Sequence, residues 1–327
     1  MSILVTGGAG YIGSHMVRAL QEAGRPVVVY DNLSKGHRGA VSAPLVQGDL
    51  ADTKALMQAF RAHGVTGVIH FAADSLVGES MLQPAKYYKN NFGGTLNLVQ
   101  CMQEAGIKRL VFSSTASIYG IPEGNPIMED MMKAPINVYG RTKWMIEQML
   151  GDFDMAYGMK YVALRYFNAA GAHPDGTIGE DHSPETHLIP LILRTVLNGT
   201  NTPTINGTDY KTPDGTTLRD YIHVMDLCDA HLRALDALEA GHGSAAYNLG
   251  NGMGFSVREM IDTIAQVTGR KLTPIEGPRR PGDPDILVAS SAKIRSELGW
   301  TPKYTDLKDI VASAWKWHET HPNGYDE

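Results

Sequence analysis

The sequence predicts an α/β protein: a doubly wound parallel sheet followed by a smaller C-terminal domain. Three observations predict it. Short runs that are apolar throughout alternate with longer amphipathic stretches over the first half of the chain. A glycine-rich turn joins the first such run directly to the first helix-like stretch. After about residue 170 the texture changes, with turn pairs multiplying and the elements growing shorter.

The apolar runs are ILVT (3–6), VVVY (27–30), PLVQ (44–47), GVIHFA (67–72), RLVFSS (109–114) and YVALRYF (161–167). A strand covered by helices on both faces buries both of its sides, so it reads as a continuous apolar run and not as an alternation. Helix-like stretches at about 12–23, 52–62, 84–105 and 138–157 separate the runs, which is the strand–helix alternation of a parallel sheet. The last of them places Met145, Ile146, Met149, Leu150 and Phe153 at helical spacing, a stripe for the core or for a subunit contact. Beyond residue 170, Pro174-Asp-Gly176, Asn206-Gly207, Asp214-Gly215, Asn251-Gly252 and Pro281-Gly282 mark turns. The expected division is therefore 1–170 for the sheet and mainly 171–327 for the second domain, with some later segments returning to the first.

Composition bounds the function. With 327 residues, 43% of them hydrophobic and 20% charged, the chain can bury a real core. A net charge of −6 argues against a nucleic-acid partner, which calls for basic residues to displace phosphate counterions. No run of 18 apolar residues occurs, so no membrane span is expected. The first strand-like run begins at Ile3, leaving no room for a signal peptide. Cys101 and Cys228 are the two cysteines and read as reduced packing residues. Together these features point to a cytoplasmic location. Asn198-Gly-Thr200 and Asn206-Gly-Thr208 then read as turns, not glycosylation sites. No metal is expected: His318 and His321, in HETH, lack the HExxH spacing and fall at a helix end before Pro322.

TGGAGYIG (6–13) satisfies G-x-G-x-x-G with Gly8, Gly10 and Gly13, and G-x-x-G-x-x-G with Gly7, Gly10 and Gly13. Glycines are required where the backbone turns tightly and comes within contact of a pyrophosphate held at a helix N-terminus. The second strand ends in VVVYD, placing Asp31 23 residues after Gly8. A carboxylate there accepts both adenosine ribose hydroxyls and repels a 2′-phosphate. Strand, loop, helix and acid together predict a Rossmann site for NAD. Ligands in such sheets lie beyond the carboxyl ends of the strands, so Asp49-Leu50 and Phe71-Ala72 are expected to line the adenine and nicotinamide-ribose positions.

Residues 139–143 read YGRTK, a tyrosine and a lysine one helical turn apart. Spacing alone does not identify a catalytic pair. Fourteen tyrosines and 14 lysines in 327 residues give ~0.6 such pairs by chance, and Tyr304 and Lys308 in YTDLK are a second one. The surroundings distinguish them, because only the first pair follows a Ser/Thr cluster, SSTASIYG (113–120), at the end of an apolar run. On these residues the chain resembles the extended short-chain dehydrogenase/reductase family. VGES (77–80), YFNAAGAHP (166–174), GEDH (179–182), LRDYIHV (218–224) and RRPGD (279–283) narrow the likeness to members that epimerise UDP-hexoses at C4, over nearly the whole chain.

The resemblance implies catalytic roles for Thr115, Tyr139 and Lys143. It implies NAD contacts at Tyr11, Ile12, Asp31, Asn32, Asp49, Leu50, Phe71, Ala72, Asn90 and Phe167, beside the loop glycines Gly7, Gly10 and Gly13. UDP-sugar contacts fall to Asn168, His187, Leu188, Arg219, Arg280 and Asp283. A homodimer is implied too, and the stretches at 84–105 and 138–157 carry the apolar residues for its contact. The chemistry stands independently of the family. Oxidising a sugar alcohol requires a base on the hydroxyl, and a free tyrosine, titrating near ~10, is a poor one at neutral pH. A lysine ammonium one turn away and a cationic nicotinamide are expected to lower it by ~2–3 units. Arg219 and Arg280 suit a diphosphate because guanidinium forks bind oxygens in pairs.

Some positions depart from the family pattern. Thr115 stands where serine is commonest, Val138 replaces a proline, Ser75 replaces a lysine and His187 replaces an asparagine. Leu287 occupies the position that gates space at the sugar's C2 substituent and is intermediate in size. The alternatives are another nucleotide-sugar epimerase, a dehydratase or a decarboxylase of this fold, or a non-catalytic NAD sensor. Ala116 and Ser117 stand where 4,6-dehydratases carry an Asp-Glu pair, and a sensor has no use for both Tyr139 and Lys143.

Overall fold

A computed structural model describes residues 1–280 and 283–325; the expected Pro281-Gly282 turn lies outside the described residues. Each of the six apolar runs forms a strand: β1 (Ser2–Thr6), β2 (Val27–Asp31), β3 (Leu45–Gln47), β4 (Val65–His70), β5 (Arg109–Thr115) and β6 (Lys160–Tyr166). Between them run α1 (Tyr11–Glu22), α2 (Thr53–His63), α3 (Val77–Leu82), α4 (Pro84–Tyr87), α5 (Gly94–Glu104) and α6 (Val138–Tyr157). The stretch read as one helix over 84–105 is α4 and α5 joined by a π-helical turn, Tyr88–Gly93. The wider turn leaves Asn91 inside, where its amide donates to Asp74 O at 2.9 Å.

The rest of the chain comprises β7 (Asn168–Ala170), α7 (Leu188–Leu197), β8 (Thr204–Asn206), β9 (Leu218–His223), α8 (Val224–Glu239), β10 (Ala245–Leu249), β11 (Gly254–Ser256), α9 (Val257–Thr268), β12 (Ile275–Gly277), β13 (Ile286–Leu287), α10 (Ala292–Leu298) and α11 (Leu307–Thr320). The large sheet has seven parallel strands in the order β10-β6-β5-β4-β1-β2-β3. β10 is thus a late segment lying in the first sheet, beside β6. β9 is the centre of a second sheet, with β11, β13 and β7 against it, while β8 and β12 pair separately.

Two apolar layers cover the large sheet. Val5, Val29, Ile69, Val111 and Leu164 face α1 and α8; Leu4, Val28, Val68, Leu110 and Phe112 face α2, α5 and α6. Both faces of each strand are therefore buried, which explains the unbroken apolar runs. The strand order reverses between β1 and β4, and the loops leaving those two strands diverge to open a crevice. Phe71 N and Ala72 N both bond Thr6 O, at 2.9 and 3.1 Å, fixing the crevice floor.

Candidate active site

The crevice widens into a cavity of about 1240 Å³ between the large sheet and the second sheet. Every residue assigned from sequence to cofactor, substrate or catalysis lines it, the loop glycines at one end and Arg219, Arg280, Asp283 and Leu287 at the other. Tyr304 and Lys308 lie elsewhere. The Tyr304 ring stacks on His223 at 4.0 Å and its N–H donates to Asp226 at 2.9 Å, so this pair serves the scaffold.

The glycine loop fits a pyrophosphate for separable reasons. Gly7 has φ +70°, and a Cβ there would meet Ala72 N at 2.5 Å; a Cβ on Gly13 would meet Gly7 O at 2.1 Å. Gly7 lets the turn lie against the chain leaving β4, and Gly13 lets the turn close on itself. Gly10 is different: a Cβ would meet only Gly7 O, at 3.5 Å, and its φ of −80° suits any residue. Nothing in the protein requires glycine there, so the bare Cα belongs to whatever lies above it. Helix α1 begins at this point with no side chain capping it, which leaves its N-terminal dipole for an anion.

Asp31, at the end of β2, accepts N–H groups from Ala9 at 2.9 Å and Leu33 at 2.8 Å, one on each oxygen. Burial raises its pKa and those two bonds oppose the rise. The acid is thus both a turn residue and a fixed acceptor at the cavity edge. Beside it Asn32 donates to Asp49 Oδ2 at 2.8 Å, and Tyr30 OH donates to Asp49 O at 3.0 Å. This wall holds Leu50 at the adenine end. The residues present therefore fit NAD.

Two elements, β5 and α6, position Thr115, Tyr139 and Lys143, the residues expected to be catalytic. Thr115 ends β5, and its Oγ1 accepts from Ser117 N at 3.1 Å. Tyr139 and Lys143 lie in the first turns of α6, capped by Asn137, whose Oδ1 accepts from Gly140 N at 2.7 Å. A Cβ on Gly140 would meet Ser117 O at 2.5 Å. The glycine inside YGRTK therefore lets α6 press against the turn that follows β5, bringing Tyr139 beside Thr115, whose hydroxyl favours the phenolate. Lys143 Nζ donates to Ser113 O at 2.8 Å and sits 5.9 Å from the centre of the Tyr139 ring. Sequence reasoning missed this use of Gly140 and of the Ser113 carbonyl, because neither involves the side chains that a motif displays.

The electrostatics differ from expectation. Burial pushes Tyr139 up to about 12, against the hydrogen bond from Thr115, and pushes Lys143 down to about 7, against the charge of Glu147. Desolvation outweighs the help from Thr115, so the protein alone favours the neutral phenol. A low phenol pKa here requires a further positive charge in the cavity.

The substrate end holds two further pairings. Of the two carboxylates near it in sequence or space, Arg219 pairs with Asp283, while the neighbouring Asp220 accepts backbone N–H groups from Asn251, Gly252 and Ala289. His187 turns Nδ1 toward Glu180 Oε1, 2.7 Å away, and so is not simply a stand-in for an amide facing the sugar. Glu180, His182, Glu185 and His187 form a cluster that sequence reasoning missed. Its spacing, E-x-H-x-x-E-x-H, was the available signal.

A model of the NAD dependent epimerase/dehydratase family matches residues 3–250. The UDP-glucose 4-epimerase of Streptococcus mutans serotype c is 53% identical over 331 residues, covering 100% of this chain and 99% of that protein. The crystal structure of the Brucella ovis UDP-glucose 4-epimerase in complex with NAD has a TM-score of 0.94 at 46% identity, covering 96% of this chain and 97% of its own. That of the Bifidobacterium longum UDP-glucose 4-epimerase in complex with NAD+ and UDP has a TM-score of 0.94 at 35% identity, covering 99% and 100%.

Proposed function

The chain belongs to the NAD dependent epimerase/dehydratase family, and we infer that it interconverts UDP-glucose and UDP-galactose by reversible epimerisation at C4 with bound NAD. One observation carries the inference: Thr115, Tyr139 and Lys143 converge midway along a single cavity, between the glycine loop and the two arginines. When bound there, NAD supplies a reversible hydride acceptor for C4 and a positive ring beside Tyr139. The glycine loop and Asp31 would hold its pyrophosphate and adenosine ribose. Tyr139 Oη takes the proton from the sugar's 4-hydroxyl and later returns it. Thr115 Oγ1 bonds both oxygens and keeps that path short. Lys143 fixes the tyrosine's surroundings and contributes charge when protonated. Arg280 and Arg219 suit the diphosphate, the latter exchanging or sharing Asp283, and Asn168, Leu188 and His187 surround the sugar end. In this proposal residues 1–170 serve mainly NAD and 171–327 mainly the nucleotide sugar.

The experiment is to offer purified protein a panel of UDP-sugars and identify the products by NMR, without added nicotinamide. A hydride taken and returned regenerates the cofactor, so turnover is expected from co-purified NAD at about one per chain. Stoichiometric consumption of NAD by cofactor-free protein would overturn the reading.

Sugar choice is expected to turn on Leu287. It is paired with Arg219 in the second sheet and packs partly against Ile118, Tyr119 and Ile127 at the cavity wall. An N-acetyl group at C2 adds three heavy atoms, and overpacking a closed site costs ~1–3 kcal/mol, or roughly ten- to a hundred-fold in specificity. UDP-glucose and UDP-galactose are therefore expected to exceed their N-acetylated forms in kcat/KM, and Leu287→Ser is expected to narrow the ratio. An unchanged ratio would show that the gate lies elsewhere.

A homodimer and a cytoplasmic location belong to the same proposal. Trp144, Met145, Met149 and Phe153 on α6 are partly open, and Met155 and Tyr157 are exposed, leaving an apolar face for a second copy. Both cysteines are free and buried, which suits a reducing compartment. Light scattering is expected to give twice the chain mass of 35.5 kDa; a monomer at micromolar concentration would refute the dimer.

A further inference from the structure

Glu180, His182, Glu185 and His187 lie on the loop leading into α7, at the rim of the cavity. One ligand-type atom from each lies within 4.8 Å of all the others. The two carboxylates are sealed from solvent, with side chains 6% and 0% exposed. Glu185 Oε1 accepts the backbone N–H groups of Thr186 and His187 at 2.7 and 2.8 Å, which fixes the carboxylate and directs Oε2 inward. That Oε2 has no hydrogen-bond partner, and neither has Glu180 Oε1 or His182 Nδ1. His187 Nδ1 lies near Glu180 Oε1 but out of line for a hydrogen bond. Buried polar atoms are rarely left without partners, and here three from different residues face a common centre.

We propose that these four side chains form a site for a divalent cation of the zinc class, with the two carboxylates buried beneath it and His187 closing it from the solvent side, its side chain 48% exposed. Bonds of ~2.0–2.2 Å to nitrogen and oxygen give a tetrahedron with edges of ~3.3–3.6 Å. Two separations match such an edge, 3.3 Å from His182 Nδ1 to Glu180 Oε1 and 3.6 Å from His182 Nδ1 to Glu185 Oε2, while His187 Nδ1 stands closer to Glu180 Oε1, at 2.7 Å, and would move outward on a bound ion. Two imidazoles select zinc over magnesium or calcium, which prefer all-oxygen shells. Two carboxylates balance the dication while the imidazoles stay neutral. The rival occupant is a pair of protons, one on each imidazole. Those protons would be paired with the two carboxylates across separations of 2.7 to 3.6 Å, so the zinc content of the protein separates the two occupants.

The site touches no reacting atom, so its role is positioning. Its loop carries His187 and Leu188 to the sugar end of the cavity. The same loop is tied to the nucleotide end through Lys35 Nζ, which donates to Ser183 O at 2.8 Å. His182 also presents its ring to Tyr11 edge-on at 6.2 Å. A cation at this centre would pin both ends of the cavity at once. No metal was expected from the sequence, where HETH near the C-terminus drew the attention; there His321 stacks on Trp317 at 3.7 Å instead.

The test uses tag-free, full-length protein expressed with zinc in the medium, desalted and assayed by elemental mass spectrometry. About one zinc per chain is expected. Dialysis against a strong chelator is expected to remove it and lower Tm, with zinc, but not magnesium, restoring both. Glu185→Gln and His182→Asn are each expected to weaken zinc binding by more than the ~10–100-fold that follows loss of a group supporting a ligand. Less than a tenth of a zinc per chain in folded wild-type protein would overturn the proposal. So would a wild-type zinc content that neither folded variant changes. If both variants fail to fold, the chelation and restoration of the wild-type protein decide the matter.

Discussion

Replacing Tyr139 with phenylalanine is expected to lower kcat by ~10²–10⁴-fold, the usual contribution of a positioned general acid–base group. The substitution removes one oxygen and little else. The ring is 9% exposed and packs with Tyr87 and Val138, contacts that phenylalanine keeps, so fold and NAD content should be retained. KM should move little, because the lost interaction is with the proton in flight and not with the ground-state sugar. Tyr304→Phe is the control. That ring stacks on His223 outside the cavity, and activity should be nearly unchanged. Equal losses from the two substitutions would remove Tyr139 from the mechanism.

The pH profile adds a second measurement of the same residue. Burial holds the Tyr139 phenol at about 12 in the protein alone, too high for a base at neutral pH. If the positive ring of the cofactor makes the phenolate accessible, the basic limb of kcat/KM for the NAD-loaded enzyme should titrate well below that value. It should also vanish in Tyr139→Phe. A limb that stays near 12 would mean that charge in the cavity does not activate this tyrosine.

Much of this was legible in the chain. The six apolar runs became six parallel strands because helices on both faces leave such strands no polar side. The phosphate loop could be read because Gly13 is demanded by a contact inside the motif, with Gly7 O, whereas the contact that demands Gly7, with Ala72, comes from the end of a distant strand. What was not legible depends on distance along the chain. Ala245–Leu249 joins the large sheet beside β6, 79 residues after Tyr166, and nothing in AAYNL announces that register. The Arg219–Asp283 pair spans 64 positions, so the sequence offers Asp220 and Asp283 alike as partners and does not show which one engages the guanidinium. The direction of the Tyr139 shift was missed for another reason. Motif spacing shows a lysine's charge but not the desolvation that both side chains suffer when α6 seats against β5.

The second large effect lies beneath the site. Glu147→Gln is expected to cost ~3–5 kcal/mol of stability, the penalty for stranding one member of a buried ion pair. Glu147 and Arg165 side chains are 4% and 5% exposed and meet at 2.6 Å. Glu147 Oε1 also accepts from Ser114 Oγ at 2.5 Å, while Arg165 Nη1 donates to Tyr119 OH at 2.9 Å. Tyr119 OH in turn donates to Asn248 Oδ1 at 2.7 Å. The network therefore ties α6, one turn past Lys143, to β5, β6 and the late-arriving β10. Glutamine keeps the shape but removes the charge, leaving the guanidinium buried without its counter-ion. Urea unfolding at saturating NAD should register the loss, since bound cofactor stabilises both proteins alike only at matched saturation. Replacing both residues with methionine should cost much less than Glu147→Gln, because no charge is then stranded. Catalysis should fall as well, though less than in Tyr139→Phe: the Glu147 charge is what opposes the burial of Lys143. A cost below ~1 kcal/mol for the single substitution, within the range of a surface pair, would show that solvent reaches Arg165 and that the catalytic helix is anchored by its apolar face alone.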